Sequence, residues 1–365
     1  MPRETRTVRG SCACSATRHE IALPEAAIPI QAAFCHCTSC RRMSGALCVT
    51  SFPVSVPLEE EECHYRLPAT LLEKLTPFEF SRGRITHFFC AACGTHMVAR
   101  VLPRERRDGS VARWFVMCGT LESAGAGDAD ADVQGVYRPR HEYLADTLDG
   151  AVADMLPSCA QSGRIERWAG HPGEGEQLAL HWVSPGRPPS STPSLADRLH
   201  AHCKCGGVEF WIARPADGRS KYVATLCACE HDSSPSPSPS PSPSPSSCCR
   251  CRLNTGMEWF VEAAAHVRAS QISLDKDGLV PYQQHRDLGT LKTYHRPSSS
   301  TAKGFCGVCG ATVFLATEGT DTLKIAVGIL DAAEGARAES WLDWRRGILP
   351  RAIACASTID EVSVT

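Results

Sequence analysis

The chain has 365 residues, balances 38 Lys+Arg against 40 Asp+Glu for a net charge of -2, and is 43% hydrophobic. That length favours two domains over one core, and the balanced charge argues against DNA, RNA or an anionic membrane surface as a partner. No apolar run approaches the length of a membrane span, and the opening MPRETRTVRGSCACS lacks the apolar stretch of a secretory signal, so a cytoplasmic or nuclear, non-secreted chain is expected. The outlier is cysteine, of which there are 21. In a reducing compartment clustered thiols bind metal rather than one another, and an odd number cannot pair completely.

In chain order, the first half offers Cys12-x-Cys14, then Cys35-x-Cys37-x-x-Cys40, then Phe89-Cys-Ala-Ala-Cys-Gly94. The run VARWFVMC at 111–118 reads as a short strand, 124–132 as an Ala/Gly/Asp loop, and 141–156 as a partly helical closing segment. Residues 157–195 shift to a glycine- and proline-rich composition, and their latter part, including 184–193, reads as a linker. The second half then repeats the order: Cys203-x-Cys205, Cys227-x-Cys229, Cys251, and Phe305-Cys-Gly-Val-Cys-Gly310. Strands are expected at 208–212 and 323–327, and no long amphipathic helix is evident.

Spacing and neighbours agree between the copies. Cys14 to Cys35 is 21 positions and Cys205 to Cys227 is 22; Cys40 to Cys90 is 50 and Cys251 to Cys306 is 55. Cys40-Arg-Arg-Met-Ser-Gly45 matches Cys251-Arg-Leu-Asn-Thr-Gly256, and Cys118-Gly-Thr-Leu-Glu122 matches Val327-Gly-Ile-Leu-Asp331. This is a tandem repeat. It predicts domains at 1–156 and 200–355, joined by a linker at 157–199. A Ser-Pro insertion at 232–247 separates Cys229 from Cys251 and is expected to be an extended, solvated loop.

Thiol chemistry divides the clusters. A Cys-x-x-Cys-Gly knuckle gives two ligands, so it needs a second pair to complete a tetrahedral zinc site. Cys12, Cys14, Cys90 and Cys93 would close one such site, and Cys203, Cys205, Cys306 and Cys309 another. Cys35, Cys37 and Cys40 then stand as three ligands with a position open, the arrangement of a reactive metal. The competing arrangement is a second structural zinc closed by His36, His87 or His96. Cys48, Cys63, Cys118, Cys159 and Cys355 lack partner spacing and read as small core residues. Arg41 and Arg42 would either attract an anionic substrate or form a solvated charge pair. Trp341 and Trp344 read as packing residues before ligand-pocket walls.

Together these motifs resemble the glutathione-dependent formaldehyde-activating enzyme family, whose members include centromere protein V. The resemblance covers roughly 10–156 and 200–350. It implies a mainly β fold of two tandem zinc-stabilised domains built from coiled antiparallel sheets. It also implies carbon–sulfur lyase activity, joining a thiol such as glutathione to formaldehyde or the reverse, with Cys12, Cys14, Cys90 and Cys93 as structural and Cys35, Cys37 and Cys40 as catalytic zinc ligands. Two zinc ions are expected in the first domain and one or two in the second, where Cys227, Cys229 and Cys251 would form the corresponding triplet. There the insertion, and the new pair Cys249-x-Cys251, point to a lost or altered open site. The rival class is a non-catalytic zinc-stabilised binding module of the centromere protein V type.

Overall fold

A computed structural model describes residues 4–54, 69–103, 112–122, 135–154, 165–189, 194–226, 249–257, 263–283, 288–297 and 299–345. The loop expected at 124–132 and the Ser-Pro insertion lie outside these residues. The first half opens with a hairpin of β1 (Thr5–Ser11) and β2 (Arg18–Pro24), where alternation turns Ile21 and Leu23 inward and Arg18 and Glu20 outward. The strands β3 (Ile30–Cys35), β4 (Val49–Val54), β5 (Leu75–Ser81), β6 (Ile85–Cys90), β7 (His96–Val101), β8 (Arg113–Met117) and β9 (Tyr137–Glu142) form one sheet in the order β5-β6-β7-β8-β4-β3-β9.

The second half repeats this arrangement. Its small sheet is β10 (Arg198–His202), β11 (Glu209–Ala213) and β14 (Ile272–Ser273). Its large sheet comprises β12 (Tyr222–Thr225), β13 (Ala264–Arg268), β15 (Leu291–His295), β16 (Thr301–Cys306), β17 (Thr312–Thr317), β18 (Thr322–Ala326) and β19 (Leu342–Trp344), ordered β15-β16-β17-β18-β13-β12-β19. The two seven-stranded orders correspond strand for strand, so the protein is mainly β and the repeat in the sequence is a repeat in topology. Each large sheet is antiparallel except at its end, where β9 runs parallel to β3 and β19 to β12. Register slips by one at Phe88/Phe89 and again at Gly304/Phe305, so a bulge re-aims the chain just before each knuckle.

Only short helices occur among the described residues: α1 (Thr38–Ser44), α2 (Ala69–Leu72) and α3 (Cys249–Thr255). The helices α1 and α3 join the halves reciprocally. The Gly45 carbonyl, closing α1, accepts from Gly328 N–H at 3.0 Å, and the Gly256 carbonyl, closing α3, accepts from Gly119 N–H at 3.0 Å. Both glycines have φ of 80°, and a Cβ on Gly45 would stand 2.1 Å from the Thr312 carbonyl oxygen, one on Gly256 1.9 Å from that of His96. The Ser/Thr-Gly ending of each repeat is thus both a left-handed helix cap and a close contact between halves. Phe89 lies against Gly310 and Phe305 against Gly94, so the aromatic residue of each knuckle packs on the other half's knuckle. Both rings are fully buried, worth about 2–3 kcal/mol apiece. One hydrophobic core runs through both halves.

The stretch 165–189 bonds to both halves. Buried Arg167 meets Asp154 at 2.6 Å, Arg337 meets the other oxygen of Asp154 at 2.8 Å, and Arg187 meets Glu339 at 2.7 Å. Among its described residues, the segment expected to close the first half contains one 3-10 turn, Leu144–Thr147, after β9. Cys48 and Cys118 are fully buried, as small core residues should be; Cys63, Cys159 and Cys355 lie outside the described residues. Trp341 is a core residue roofed by the Arg214 guanidinium 3.6 Å above its ring, and Trp344 Nε1 donates to the Arg337 carbonyl at 2.8 Å.

One buried group makes a testable pH effect. His19 faces Gly10 across β1–β2, where the second half pairs Phe210 with Ala201, and burial pushes its imidazole down to about 4. The unfolded chain therefore takes up this proton first as pH falls, so the stability His19 carries is intact above about 6.5 and drains away through about 4. The loss is about 3 kcal/mol when complete. In urea titrations, His19→Phe should lose less stability than the wild type between pH 6.5 and 4; an equal loss would show that His19 does not titrate on unfolding.

Candidate metal centres

The Sγ atoms of Cys12, Cys14, Cys90 and Cys93 lie within 4.8 Å of one another, and so do those of Cys203, Cys205, Cys306 and Cys309. Adjacent sulfurs stand 3.4 Å (Cys12–Cys14), 3.6 Å (Cys14–Cys90), 3.5 Å (Cys203–Cys205) and 3.5 Å (Cys205–Cys306) apart. Four thiolates each about 2.3 Å from one ion would be about 3.8 Å apart, so these quartets fit zinc without rearrangement. Each joins the end of an opening strand, β1 or β10, to the knuckle after β6 or β16.

Crowding makes the sulfurs unequal. Burial pushes the Cys14 thiol up to about 11, and hydrogen bonding with Cys12 and Cys93 drives Cys90 higher still. Hydrogen bonds from Cys12 and Cys90 pull Cys93 far down. In the second quartet Cys306 is pulled down by Cys203, and Cys309 is pushed up by the same neighbour. A cluster in which one thiolate is stabilised at the expense of the next is the donor set that a dication would satisfy.

The trio assembles as the spacing requires. Cys35, Cys37 and Cys40 bring their sulfurs within 4.8 Å of one another, and among the described residues no imidazole or carboxylate joins them. Cys35 ends β3; Cys37 caps α1, its sulfur accepting the Cys40 N–H at 3.3 Å. Cys35 and Cys37 are half-buried and Cys40 is buried. Hydrogen bonds from Cys35 and then Cys40 push Cys37 down to about 3 against its desolvation, with the Arg41 charge assisting. The bond with Cys37 drives Cys35 well up, and the bonds with Cys35 and then Cys37 do the same to Cys40.

The three histidines weighed as a fourth ligand are placed elsewhere. His36 Nε2 sits 2.9 Å from His141 Nδ1 in a buried pair. His96 Nε2 donates to the Met43 carbonyl at 3.2 Å, and His87 packs edge-on to His96 and Phe80. Nor are the two arginines a solvated pair. Arg41 is buried, donating to the His36 carbonyl at 3.2 Å and to Thr38 Oγ1 at 3.1 Å, whereas Arg42 reaches Asp331 of the second half at 2.5 Å.

Three neighbours of the trio carried no spacing signal in the sequence. Tyr143 adopts φ of 58°, a strained backbone for a bulky residue, and lies near enough to Cys35 and Cys37 that their charge adds to burial in raising its phenol. Asp146 accepts the Thr38 N–H at 3.3 Å, and burial followed by the Cys37 charge raises its carboxyl. Lys204 comes from the other half. It lies between Cys203 and Cys205, donates Nζ to Ser39 Oγ at 2.8 Å, and holds its ammonium 5.5 Å from the Phe80 ring centre. The second half's quartet therefore places a cation beside the first half's trio. Of the second triplet, Cys227, Cys229 and the side chain of Cys251 lie outside the described residues.

Two closed sulfur quartets and one open sulfur trio on paired β sheets define a protein with cysteine clusters able to hold zinc. Residues 7–134 match the model of a protein family described as glutathione-dependent formaldehyde-activating enzyme; the match contains the trio and the first quartet, and the second half lies outside it. No curated protein and no solved structure matches the chain. No helix among the described residues is long and apolar enough to cross a membrane.

Proposed function

We propose that the chain is a carbon–sulfur lyase that adds a thiol of the glutathione type to formaldehyde, or reverses that addition, at the trio of the first half. The observation that carries this reading is the trio itself: three sulfurs gathered without a fourth ligand among the described residues, inside the segment that matches the family model. A binding module would need only the closed quartets, whereas three sulfurs gathered without a fourth ligand among the described residues suit chemistry.

Cys35, Cys37 and Cys40 would hold one zinc, and the quartets one each. Zinc at the trio would supply positive charge that favours a thiolate over a thiol at neutral pH and draws electron density from an aldehyde oxygen. The protein's own residues supply the rest. Lys204, bonded to the hydroxyl of Ser39 next to Cys40 in the chain, would suit a carboxylate of an anionic thiol. In the addition, a sulfur–carbon bond forms, the carbonyl π pair moves to oxygen, and that oxygen takes up the proton the thiol has lost. Tyr143, near enough to Cys35 and Cys37 to feel their charge and a phenol at neutral pH, would be the donor to the forming alkoxide.

Exchange NMR on glutathione and formaldehyde, with and without the zinc-loaded chain, tests the activity. Line broadening or exchange cross-peaks between hydrate and adduct are expected to grow in proportion to the protein; exchange no faster than without protein would overturn the proposal. A companion prediction concerns Lys204. Lys204→Ala should raise KM for glutathione about 3- to 10-fold, the worth of one charge-assisted contact of about 1 kcal/mol, and leave KM for uncharged 2-mercaptoethanol unchanged. An equal rise for both thiols would assign Lys204 to packing alone.

A further inference from the structure

A third kind of donor cluster, with no sulfur in it, lies on the second half where it faces Arg42 of the first, one residue from the Cys203 quartet ligand. On β10, His200 and His202 are two residues apart and so share a face, their rings stacked with centres 4.5 Å apart. Asp331 follows the 3-10 turn Val327–Ile329 and is pinned to the same strand, its N–H bonded to the His200 carbonyl at 2.9 Å. Glu209 and Trp211 on β11, the indole stacked on the His200 ring at 4.9 Å, and Arg42 on α1 complete the surroundings. The three side chains are between 21% and 49% exposed, so an ion can reach them.

The hydrogen bonds choose which nitrogen each ring offers. His200 Nε2 lies 2.7 Å from a Glu209 carboxylate oxygen, so that nitrogen carries the proton and donates it, and Nδ1 is left bare. His202 does the opposite: Nδ1 donates to the Cys203 carbonyl at 3.2 Å and Nε2 is left bare. The two bare nitrogens converge on one atom, Asp331 Oδ2, at 3.9 Å and 3.8 Å. The other carboxylate oxygen, Oδ1, is held by Arg42 at 2.5 Å. Each ligand atom thus faces the same point while its outer partner fixes its tautomer or orientation, the pattern that surrounds metal-bound histidines. The first half has the same backbone, with Glu122 N–H bonded to the Arg9 carbonyl at 2.8 Å, yet presents Arg9, Ser11 and Glu122 there. No such cluster is possible at that end.

We propose that His200, His202 and Asp331 form a binding site for a borderline divalent cation, of which zinc is the natural occupant. Two imidazoles and a carboxylate suit zinc, and ligand atoms just under 4 Å apart close to the ion by small rotations of exposed side chains. With nitrogen and oxygen donors, half-exposed, the site exchanges its ion readily, unlike the thiolate quartets. Occupancy would clip β10 and the 327–329 turn, both of the second half, onto Arg42, which lies two residues beyond Cys40.

Equilibrium dialysis of the zinc-loaded full chain against micromolar Zn2+, read by metal analysis, provides the test. The wild type is expected to take up one further zinc per chain, and His202→Ala and Asp331→Asn are each expected to lose it at least tenfold in affinity. The thiolate-bound zinc, counted by release with a mercurial, should be equal in all three proteins, which separates site loss from misfolding. Nitrogen-15 spectra should show zinc-dependent shifts at Nδ1 of His200 and at Nε2 of His202. Equal uptake by the wild type and both variants, or shifts at the opposite nitrogens, overturns the proposal.

Discussion

Cys37→Ser is expected to cut catalysed thiol–formaldehyde exchange by about 100-fold or more while the protein stays folded. The scale is that of losing a preorganised charge stabiliser from a site. Cys37 is the residue on which the trio depends: it caps α1, lies beside both Cys35 and Cys40, and carries the lowest thiol pKa of the three, about 3. Serine keeps a cap, since a hydroxyl accepts the Cys40 N–H as sulfur does, so the change in stability should stay near about 1 kcal/mol. Activity within a few-fold of wild type would move the chemistry away from the trio, whereas loss of the folded state would deny the trio its separateness from the scaffold.

Cys93→Ser, the same chemical change, should have the opposite consequence and unfold the protein well below the wild-type midpoint. A closed thiolate site contributes roughly 10–16 kcal/mol of apparent binding energy to folding, of which loss of one ligand forfeits several kcal/mol. The damage should not stop at the first half. The Lys303 ammonium, buried on β16 of the second half, donates to the Cys93 carbonyl at 2.7 Å, and Phe305 packs on the adjoining Gly94. Both sheets should therefore melt together, in a single transition, when the first quartet is weakened. Differential scanning calorimetry would read this directly. Two separate transitions, with the second half unmoved, would show that the quartet stabilises only its own sheet.

The sequence made some of this site legible because its signals are local. Cys-x-Cys and Cys-x-x-Cys-Gly pair within a few residues, and their repetition shows which pairs must combine. The same logic grouped Cys35, Cys37 and Cys40, whose sulfurs lie within 4.8 Å of one another, because a strand end running into a helix start needs only six residues to bring three sulfurs together. The strands at 111–118, 208–212 and 323–327 also stand close to where their β-prone composition places them.

What was not legible depends on contacts distant along the chain. The Phe of each knuckle and the glycine ending each short helix look like local turn chemistry, yet Phe89 meets Gly310 and Gly45 meets Thr312 in the other half. Arg42 reads as one of two adjacent charges until its partner, Asp331, arrives from the second half. Tyr143, Asp146 and Lys204 follow no periodicity, and only the fold sets them beside the trio. His200 and His202 were not singled out in the sequence, and their third ligand, Asp331, reaches them only because its N–H is bonded to that strand.

These contacts also assign work to the second half. Its quartet fixes Lys204, its 327–329 turn receives α1, and its buried Lys303 braces the first knuckle. A duplicated unit that had merely drifted would not place a cation at its neighbour's trio.

The central claim is that one metal in the amino-terminal half keeps a coordination position for a substrate thiol. Cobalt substitution measures this most directly, because each thiolate bound to Co2+ adds a defined increment of sulfur-to-metal charge-transfer absorption. Adding glutathione to the cobalt-loaded chain should raise that absorption by one thiolate per chain, and the rise should vanish in Cys37→Ser. A spectrum that glutathione leaves unchanged in the wild type, with the cobalt at the trio already four-coordinate in protein ligands, would contradict the account.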